Sequence, residues 1–215
     1  MRNKKFILTS FCFLVTFLLW TITVSIMDVQ TIGPNQSAVG FAGLNGFFHA
    51  LTGVHMWLYV LTDWLSLIPL LVILGFGILG LRQWIRRKTL WKVDRSILAL
   101  GGFYVITGAA FLFFETFVVN YRPILIDGVL EASYPSSTTM LVICVMSTAF
   151  LQLRERMRNT TISKYLLFLI GGFTVFMVIG RLLSGVHWFS DIVGGILLSS
   201  GLVSGYAAMT EKRDC

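Results

Sequence analysis

Residues 165–191 read YLLFLIGGFTVFMVIGRLLSGVHWFSD. An uncharged apolar run leads to Arg181, and a short polar segment containing His187 and Asp191 follows it. A helix needs roughly 20 mainly apolar residues to cross the hydrocarbon core of a bilayer. The stretch therefore predicts a membrane-spanning helix with an arginine at its far end, followed by a histidine and an aspartate.

The composition of the whole chain agrees with membrane insertion. Mean hydropathy is +0.80, and only 13% of residues are charged, against roughly 25% in soluble domains. We predict an all-α, polytopic membrane protein with six transmembrane helices, forming one domain over residues 1–215. The predicted spans are 6–27, 57–81, 96–119, 137–153, 165–183 and 188–209.

The positive charges predict the orientation of these spans. Apart from Arg122 and Arg181, every Lys and Arg lies in one of four segments that six spans place on the same side: 2–5, 82–95, 154–164 and 212–213. The positive-inside rule makes that side cytoplasmic, with both termini on it. The net charge of +7 is then topological, and we predict no nucleic-acid binding. The basic segments also suit contact with anionic lipid.

Several other features limit the class of protein. The first apolar stretch is too long for a signal peptide, which predicts a retained span. Cys12 and Cys144 lie within predicted spans and Cys215 is the last residue, so the cysteines predict neither a disulfide framework nor a prenylation site. The sequence predicts no metal site and no cofactor. We expect a lipid bilayer and a lipid substrate as partners, with no obligate protein partner.

The first external loop, residues 28–56, has two parts. The first half contains Gly33 and Pro34 and is predicted to be irregular. From residue 41 onward, apolar residues such as Phe47 and Leu51 alternate with polar ones such as Asn45 at helical spacing. This pattern predicts a helix lying in the membrane interface.

The polar residues on the external side fit the chemistry of phosphate. His187 and Asp191 are four residues apart and share one helix face. An aspartate that accepts a proton from one imidazole nitrogen leaves the other nitrogen free as a nucleophile. Arg122 and Arg181 carry the guanidinium groups that neutralise phosphoryl oxygens in such sites. These four residues predict a phosphoryl-transfer site.

A third segment, Ser136-Ser137-Thr138, lies just before the fourth span. Free backbone N–H groups at a helix start, with hydroxyls beside them, bind anions. The same residues are also common helix caps, which is the simpler interpretation. Simpler interpretations also exist for Arg122 and Arg181 as snorkelling side chains, and for Asp63 as a packed polar residue within a span.

At this point the chain resembles the type-2 phosphatidic acid phosphatase superfamily, whose motifs are K-x6-R-P, P-S-G-H and S-R-x5-H-x3-D on a six-span fold. The spacing of Arg181, His187 and Asp191 matches the third motif, Arg122 the end of the first, and Ser136 the start of the second. The resemblance implies that His187 is the nucleophile, that Asp191 orients it, and that both arginines bind phosphate. It implies a phosphohistidine intermediate.

The chain departs from these motifs at three places. Glu115 stands where the first motif has Lys, Ser137-Thr138 where the second has Gly-His, and Gly180 where the third begins with Ser. Loss of a general acid costs about 10²–10⁴ in rate. The penalty is smaller when the leaving group is itself a phosphate, so we predict a bias toward diphosphates or a transferase reaction. Two further histidines, His49 and His55, are remote candidates for a substitute acid.

Glu115 has two alternative roles. It pairs with Arg122 or Arg181, or it stays protonated near the membrane face and donates a proton in place of the missing histidine. The sequence does not decide between them.

The predicted function is that of a membrane lipid phosphate or diphosphate phosphatase, or a phosphotransferase. It would act on the extracytoplasmic face of the cell membrane, on a substrate such as undecaprenyl diphosphate or phosphatidyl phosphate. The alternative is a catalytically impaired relative that binds lipid phosphates or assists a partner. A small transporter is disfavoured, because the polar residues lie at one edge of the spans rather than at mid-membrane.

Overall fold

The computed structural model describes residues 2–157 and 161–210. Within those ranges the chain forms eight α-helices and two single 3-10 turns, with no β-strand, which confirms the all-α prediction. The helices are α1 (Arg2–Ile26), α2 (Ala42–Thr52), α3 (Met56–Leu65), α4 (Leu67–Arg87), α5 (Arg95–Thr116), α6 (Ser137–Arg156), α7 (Thr161–Leu183) and α8 (Phe189–Thr210).

Six helical segments of the described chain are long and apolar enough to cross a membrane, as the sequence predicted. Five are single helices, and the second, Met56–Arg87, consists of α3 and α4 with a break at Ser66. Pro69 explains the break, because a proline ring crowds the carbonyl four residues earlier and has no N–H to donate. That carbonyl belongs to Leu65, the last residue of α3.

The centre of the bundle is formed by α6 and α8. Within their spans 56% and 50% of residues are buried, against 11% in α1, so the other helices surround this pair. Close approach depends on Gly194 in α8, where a Cβ atom would lie 2.7 Å from the Tyr134 ring. Tyr134 is buried, and its hydroxyl is 2.7 Å from Thr21 Oγ1 on α1. This packing fixes the start of α6 beside the start of α8.

The first loop contains the predicted helix, α2. Three apolar side chains three or four residues apart, Leu44, Phe47 and Leu51, are exposed on its outer side. On the inner side Asn45 is fully buried, and the Phe48 ring stacks on Phe189 with centroids 4.1 Å apart. An apolar outer face and a buried inner face are what an interfacial helix requires.

The loop between α5 and α6 folds back on itself as a small hairpin. Asp127 and Gly128 have φ angles of 51° and 78°, and positive φ at both central residues is the requirement of a type I′ turn. Isolated antiparallel bridges join Ile126 to Val129 and Tyr121 to Ala132. The pairing places Arg122 directly opposite Glu131.

At the opposite end of the bundle, Asp94 joins two of the basic segments. Its carboxylate lies 3.2 Å from Arg87 at the end of α4 and 3.4 Å from Arg156 at the end of α6. The basic segment between α4 and α5 therefore meets the basic end of α6 at one end of the bundle, as the predicted topology requires. Other residues used in that prediction lie outside the described residues: Arg158, Lys212, Arg213 and Cys215.

Candidate active site

The start of α8 positions Asp191. Trp188 is the residue before the helix, and its backbone N–H donates to Asp191 Oδ2 at 2.9 Å. This contact is one of the two hydrogen bonds of a capping box, the one in which the side chain of the third helical residue accepts from the backbone N–H of the N-cap residue. The other oxygen, Oδ1, accepts from Asn120 Nδ2 and from Ser190 Oγ, both at 3.4 Å. Asp191 is therefore a helix-capping residue held in place by an amide and a hydroxyl.

His187 lies next to this carboxylate without a hydrogen bond to it. Its Nδ1 atom is 3.8 Å from Asp191 Oδ2, beyond hydrogen-bond distance, and neither ring nitrogen has a partner of hydrogen-bond geometry. Because Nδ1 faces the carboxylate, Nε2 is the nitrogen left for an incoming group. The geometry brings the predicted pair together, while the hydrogen bond expected to fix the tautomer is not formed.

The surroundings of His187 favour the neutral imidazole. Burial lowers the pKa of His187 well below 6.5, and the positive charges of Arg122 and Arg181 lower it further. The backbone of Ser133 raises the pKa of His187, but this effect is smaller than those that lower it. At neutral pH the ring is therefore uncharged, which is the form a nucleophile needs.

Gly185 shapes the loop that carries His187. Its φ angle is +70°, a left-handed conformation that side chains disfavour, and a Cβ there would lie 2.1 Å from the carbonyl oxygen of Gly53. The neighbouring Ser184 carbonyl accepts from the His55 backbone N–H at 3.0 Å. The loop that carries His187 thus packs against the segment between α2 and α3.

The two arginines are buried near His187 with unsatisfied donors. Arg181 is 1% exposed and Arg122 is 8% exposed. Arg181 Nε and Arg122 Nη1 are buried without a hydrogen-bond partner, as are both nitrogens of His187. Buried polar groups are almost always paired, because an unpaired one costs free energy. Unpaired cationic donors at one place mark a site built to receive an anion.

Each guanidinium also has a carboxylate neighbour. Arg122 Nε lies 2.9 Å from Glu131 Oε2, and Arg181 Nη1 lies 3.9 Å from Asp63 Oδ1. The Tyr59 ring lies against both arginines, with its centroid 5.9 Å from Arg122 Cζ and 4.9 Å from Arg181 Cζ. Helix α3 therefore supplies part of the arginine environment.

The position of Glu115 bears on its two predicted roles. It lies in the last turn of α5 and lines a pocket with Ser133, Tyr134 and Ser137. The carboxylates that the structure places beside Arg122 and Arg181 are Glu131 and Asp63, so a pairing of Glu115 with either arginine stays a prediction. The hairpin places Glu131 opposite Arg122, whereas Glu115 lies near the first residues of α6.

The start of α6 is held to the start of α8. Ser136 is the N-cap, its hydroxyl accepting from the Thr139 N–H at 3.4 Å, and its own N–H donates to the Asp191 carbonyl at 3.0 Å. Ser137 faces the pocket that contains Glu115, and Thr138 is buried. The structure thus uses Ser136 as a cap and brings all three motif segments together.

The family profile of the PAP2 superfamily matches residues 102–214, which include every motif position named above. The chain belongs to the PAP2 superfamily. Its fold is similar to the crystal structure of a transmembrane PAP2 type phosphatidylglycerolphosphate phosphatase from Bacillus subtilis. The TM-score is 0.55 with 19% identity, over 93% of this chain and 94% of that one. No curated protein matches the sequence.

Gly180, where the third PAP2 motif has Ser, has a structural explanation. A Cβ atom at Gly180 would lie 2.8 Å from Thr62 Cγ2. Thr62 is fully buried on α3, and its Oγ1 accepts from Arg181 Nη1 at 3.4 Å. Thr62 thus fills the space beside Gly180 and brings a hydroxyl to the arginine that follows it.

This arrangement gives a paired test. Gly180→Ser is expected to destabilise the protein by about 1–3 kcal/mol, because the new side chain overpacks against Thr62. Adding Thr62→Ala should raise the thermal unfolding midpoint again, since it removes the obstructing methyl group. Gly172→Ser on the same helix is the control, because a Cβ there meets nothing within 4 Å. Equal unfolding midpoints for both serine variants would contradict the explanation.

The two histidines suggested as substitute acids differ in position. The His49 ring lies 5.4 Å from the Trp188 ring, its Nδ1 is buried without a partner, and burial lowers the pKa of His49. His55 is exposed at the start of α3. Of these two histidines, His49 is the one that packs against Trp188, the residue after His187.

Sequence reasoning missed several residues that contact the PAP2 motif positions. They are Tyr59, Thr62, Asn120 and Glu131, while Asn45 contacts Ser190 beside Asp191. The Asp127-Gly128 dipeptide was a usable signal for the hairpin, and therefore for Glu131. No local signal connects α3 with Arg181, because that contact depends on how the helices pack.

Proposed function

We propose that this PAP2 protein is a phosphatase or phosphotransferase acting on a membrane lipid phosphate or diphosphate through a phosphohistidine at His187. Superfamily membership supports lipid phosphatase chemistry. The observation that carries the proposal is the group of unpaired buried donors on Arg122, Arg181 and His187. A phosphoryl group placed there would accept from the unpaired guanidinium N–H groups and present its phosphorus to His187 Nε2.

The proposed reaction has two steps. His187 Nε2 attacks phosphorus, so that an N–P bond forms as the bond to the leaving oxygen breaks. Both guanidiniums neutralise charge on the equatorial oxygens, and Asp191 faces the positive charge that develops on the ring. Water or another acceptor hydroxyl then attacks phosphorus, breaking the N–P bond and returning neutral His187.

The leaving group should set the relative rates of the first step. The PAP2 position for the protonating histidine holds Thr138, which cannot act as an acid near neutral pH. An alkoxide leaving group needs that proton, whereas a phosphate leaving group needs it far less. We therefore propose that diphosphates have the higher kcat.

The distribution of basic residues supports an external site with both termini cytoplasmic. The test measures phosphate release by protein in sealed vesicles of known orientation, with undecaprenyl diphosphate or phosphatidic acid added outside. Release only where the His187 end faces the added substrate is expected. Absence of phosphate release from both substrates in both orientations would contradict the enzymatic proposal.

A second candidate is a non-catalytic binder of lipid phosphates. Two observations favour it: Glu115 and Thr138 replace ionisable PAP2 motif residues, and His187 lacks the hydrogen bond to Asp191. Such a protein would bind phosphate-bearing lipid in vesicles but release no phosphate. Lipid retention that depends on Arg122 and not on His187 would support this candidate.

The pH dependence offers a further prediction. Protonated His187 cannot attack, so kcat/KM should fall as pH drops through the His187 pKa, which lies below 6.5. Arg122→Gln removes a positive charge that opposes protonation, so that pKa rises and the acid limb moves to higher pH. A pH–rate profile measures this, with Arg86→Gln at the other end of the bundle as control. An acid limb that stays in place would contradict it.

A further inference from the structure

The charges around the site are arranged in two zones. The inner zone is cationic, since the side chains of Arg181 and Arg122 are 2% and 10% exposed. The outer zone is anionic, since those of their partners Asp63 and Glu131 are 58% and 39% exposed. We call these two carboxylates, which are more exposed than the guanidiniums beside them, the acidic rim.

The acidic rim stays in place when the inner zone is filled. The Glu131 backbone is held opposite Arg122, whose N–H donates to the Glu131 carbonyl at 3.0 Å within the hairpin. Asp63 follows Thr62, which is buried and hydrogen-bonded to Arg181. A bound phosphoryl group can displace the carboxylates from the guanidiniums, but both remain beside it.

The balance of formal charge is unusual for a site that receives a phosphate. Two arginines face the two rim carboxylates, and Glu115 stands where PAP2 relatives have a lysine. A ligand with further negative charge outside the inner zone would meet repulsion from the rim. A ligand with a positive charge outside the inner zone would be attracted by the acidic rim. It would also pair with any carboxylate that the phosphoryl group displaces from an arginine.

We propose that Asp63 and Glu131 select a substrate whose phosphoryl group carries an ammonium group a few atoms away. The phosphoryl oxygens contact Arg122, Arg181 and His187, and the ammonium group contacts the acidic rim. This inference rests on the proposed function and adds the class of head group to it. A diphosphate has the better leaving group and hence the higher kcat proposed above, but its second phosphate lies beside the acidic rim, so it should bind more weakly than an ammonium-bearing phosphate. For this reason kcat and binding are measured separately.

The test compares two soluble probes of similar size, O-phosphoethanolamine and n-propyl phosphate, which differ in the ammonium group. Both compete with lipid substrate for the full-length protein in lipid nanodiscs. O-phosphoethanolamine is expected to inhibit with an affinity about tenfold higher, from two partly exposed ion pairs. The preference should shrink as ionic strength rises.

Substitutions locate the effect. Asp63→Asn and Glu131→Gln should each reduce the preference, weakening O-phosphoethanolamine and strengthening n-propyl phosphate. Asp127→Asn is the matched control: it removes one negative charge from the same hairpin, and asparagine is accepted at that turn position. A monodisperse elution profile and an unchanged unfolding midpoint show that each variant is folded.

The outcomes separate the two proposals. Equal inhibition by both probes, with phosphate release intact, overturns the ammonium proposal and leaves the phosphatase standing. A preference that Asp127→Asn reduces as much as Glu131→Gln also overturns it, since the effect would then come from net charge. Failure of both probes to bind, together with no phosphate release, overturns both proposals.

Discussion

Replacing His187 with alanine is expected to reduce phosphate release by about 10⁴-fold or more, since the variant has no nucleophile to form the covalent intermediate. Single-turnover assays with radiolabelled lipid phosphate should show a labelled protein for the parent and none for the variant. Because the side chain is buried, its loss also leaves a cavity. The unfolding midpoint must therefore be measured beside the rate.

His55→Ala is the control for this experiment. His55 is exposed and lies at the start of α3, so its removal should leave the rate within about twofold of the parent. Retention of more than a tenth of the parent activity by the folded His187 variant would show that another group attacks phosphorus. Acid-stable label on the parent protein would also contradict a phosphohistidine.

Arg181→Lys is expected to lower kcat/KM by about 10²–10³-fold although it preserves the charge. The planar guanidinium donates to Thr62, lies against Tyr59 and keeps Nε free toward the site. An ammonium group offers a single point of contact and cannot keep these three positions together.

The matched control is Arg86→Lys, which makes the same exchange at an exposed position at the other end of the bundle. It should leave kcat/KM unchanged. If Arg181→Lys is folded and equal to the parent, the guanidinium geometry has no role, and the site uses Arg181 only as a charge.

Much of the fold followed from local patterns. Apolar runs predicted six spans, and the basic residues predicted which ends share a side. The break at Ser66 was readable from Pro69 but was not predicted, because a proline within an apolar run does not interrupt hydropathy. The small hairpin was not predicted either. Its turn signal, Asp127-Gly128, lies in a loop that has no strand pattern on either side.

The site was predictable where residues lie in one segment and not where helices meet. Arg181, His187 and Asp191 lie within one short stretch, so spacing alone brings them together. The contact between Asp191 and Asn120, and that between Arg181 and Thr62, depend on packing between distant segments. The role of Gly180 became clear only from the space that Thr62 occupies.

The contact between Gly185 and Gly53 has a consequence for how such proteins diverge. The profile match begins at residue 102, yet Tyr59, Thr62 and Asp63 precede it and contact Arg181. The motif residues all lie in the second half of the chain, whereas their neighbours come from both halves, with Asn120 and Glu131 from the second. Recombination between relatives near residue 102 would therefore exchange Tyr59, Thr62 and Asp63 while keeping His187, Asp191 and both arginines.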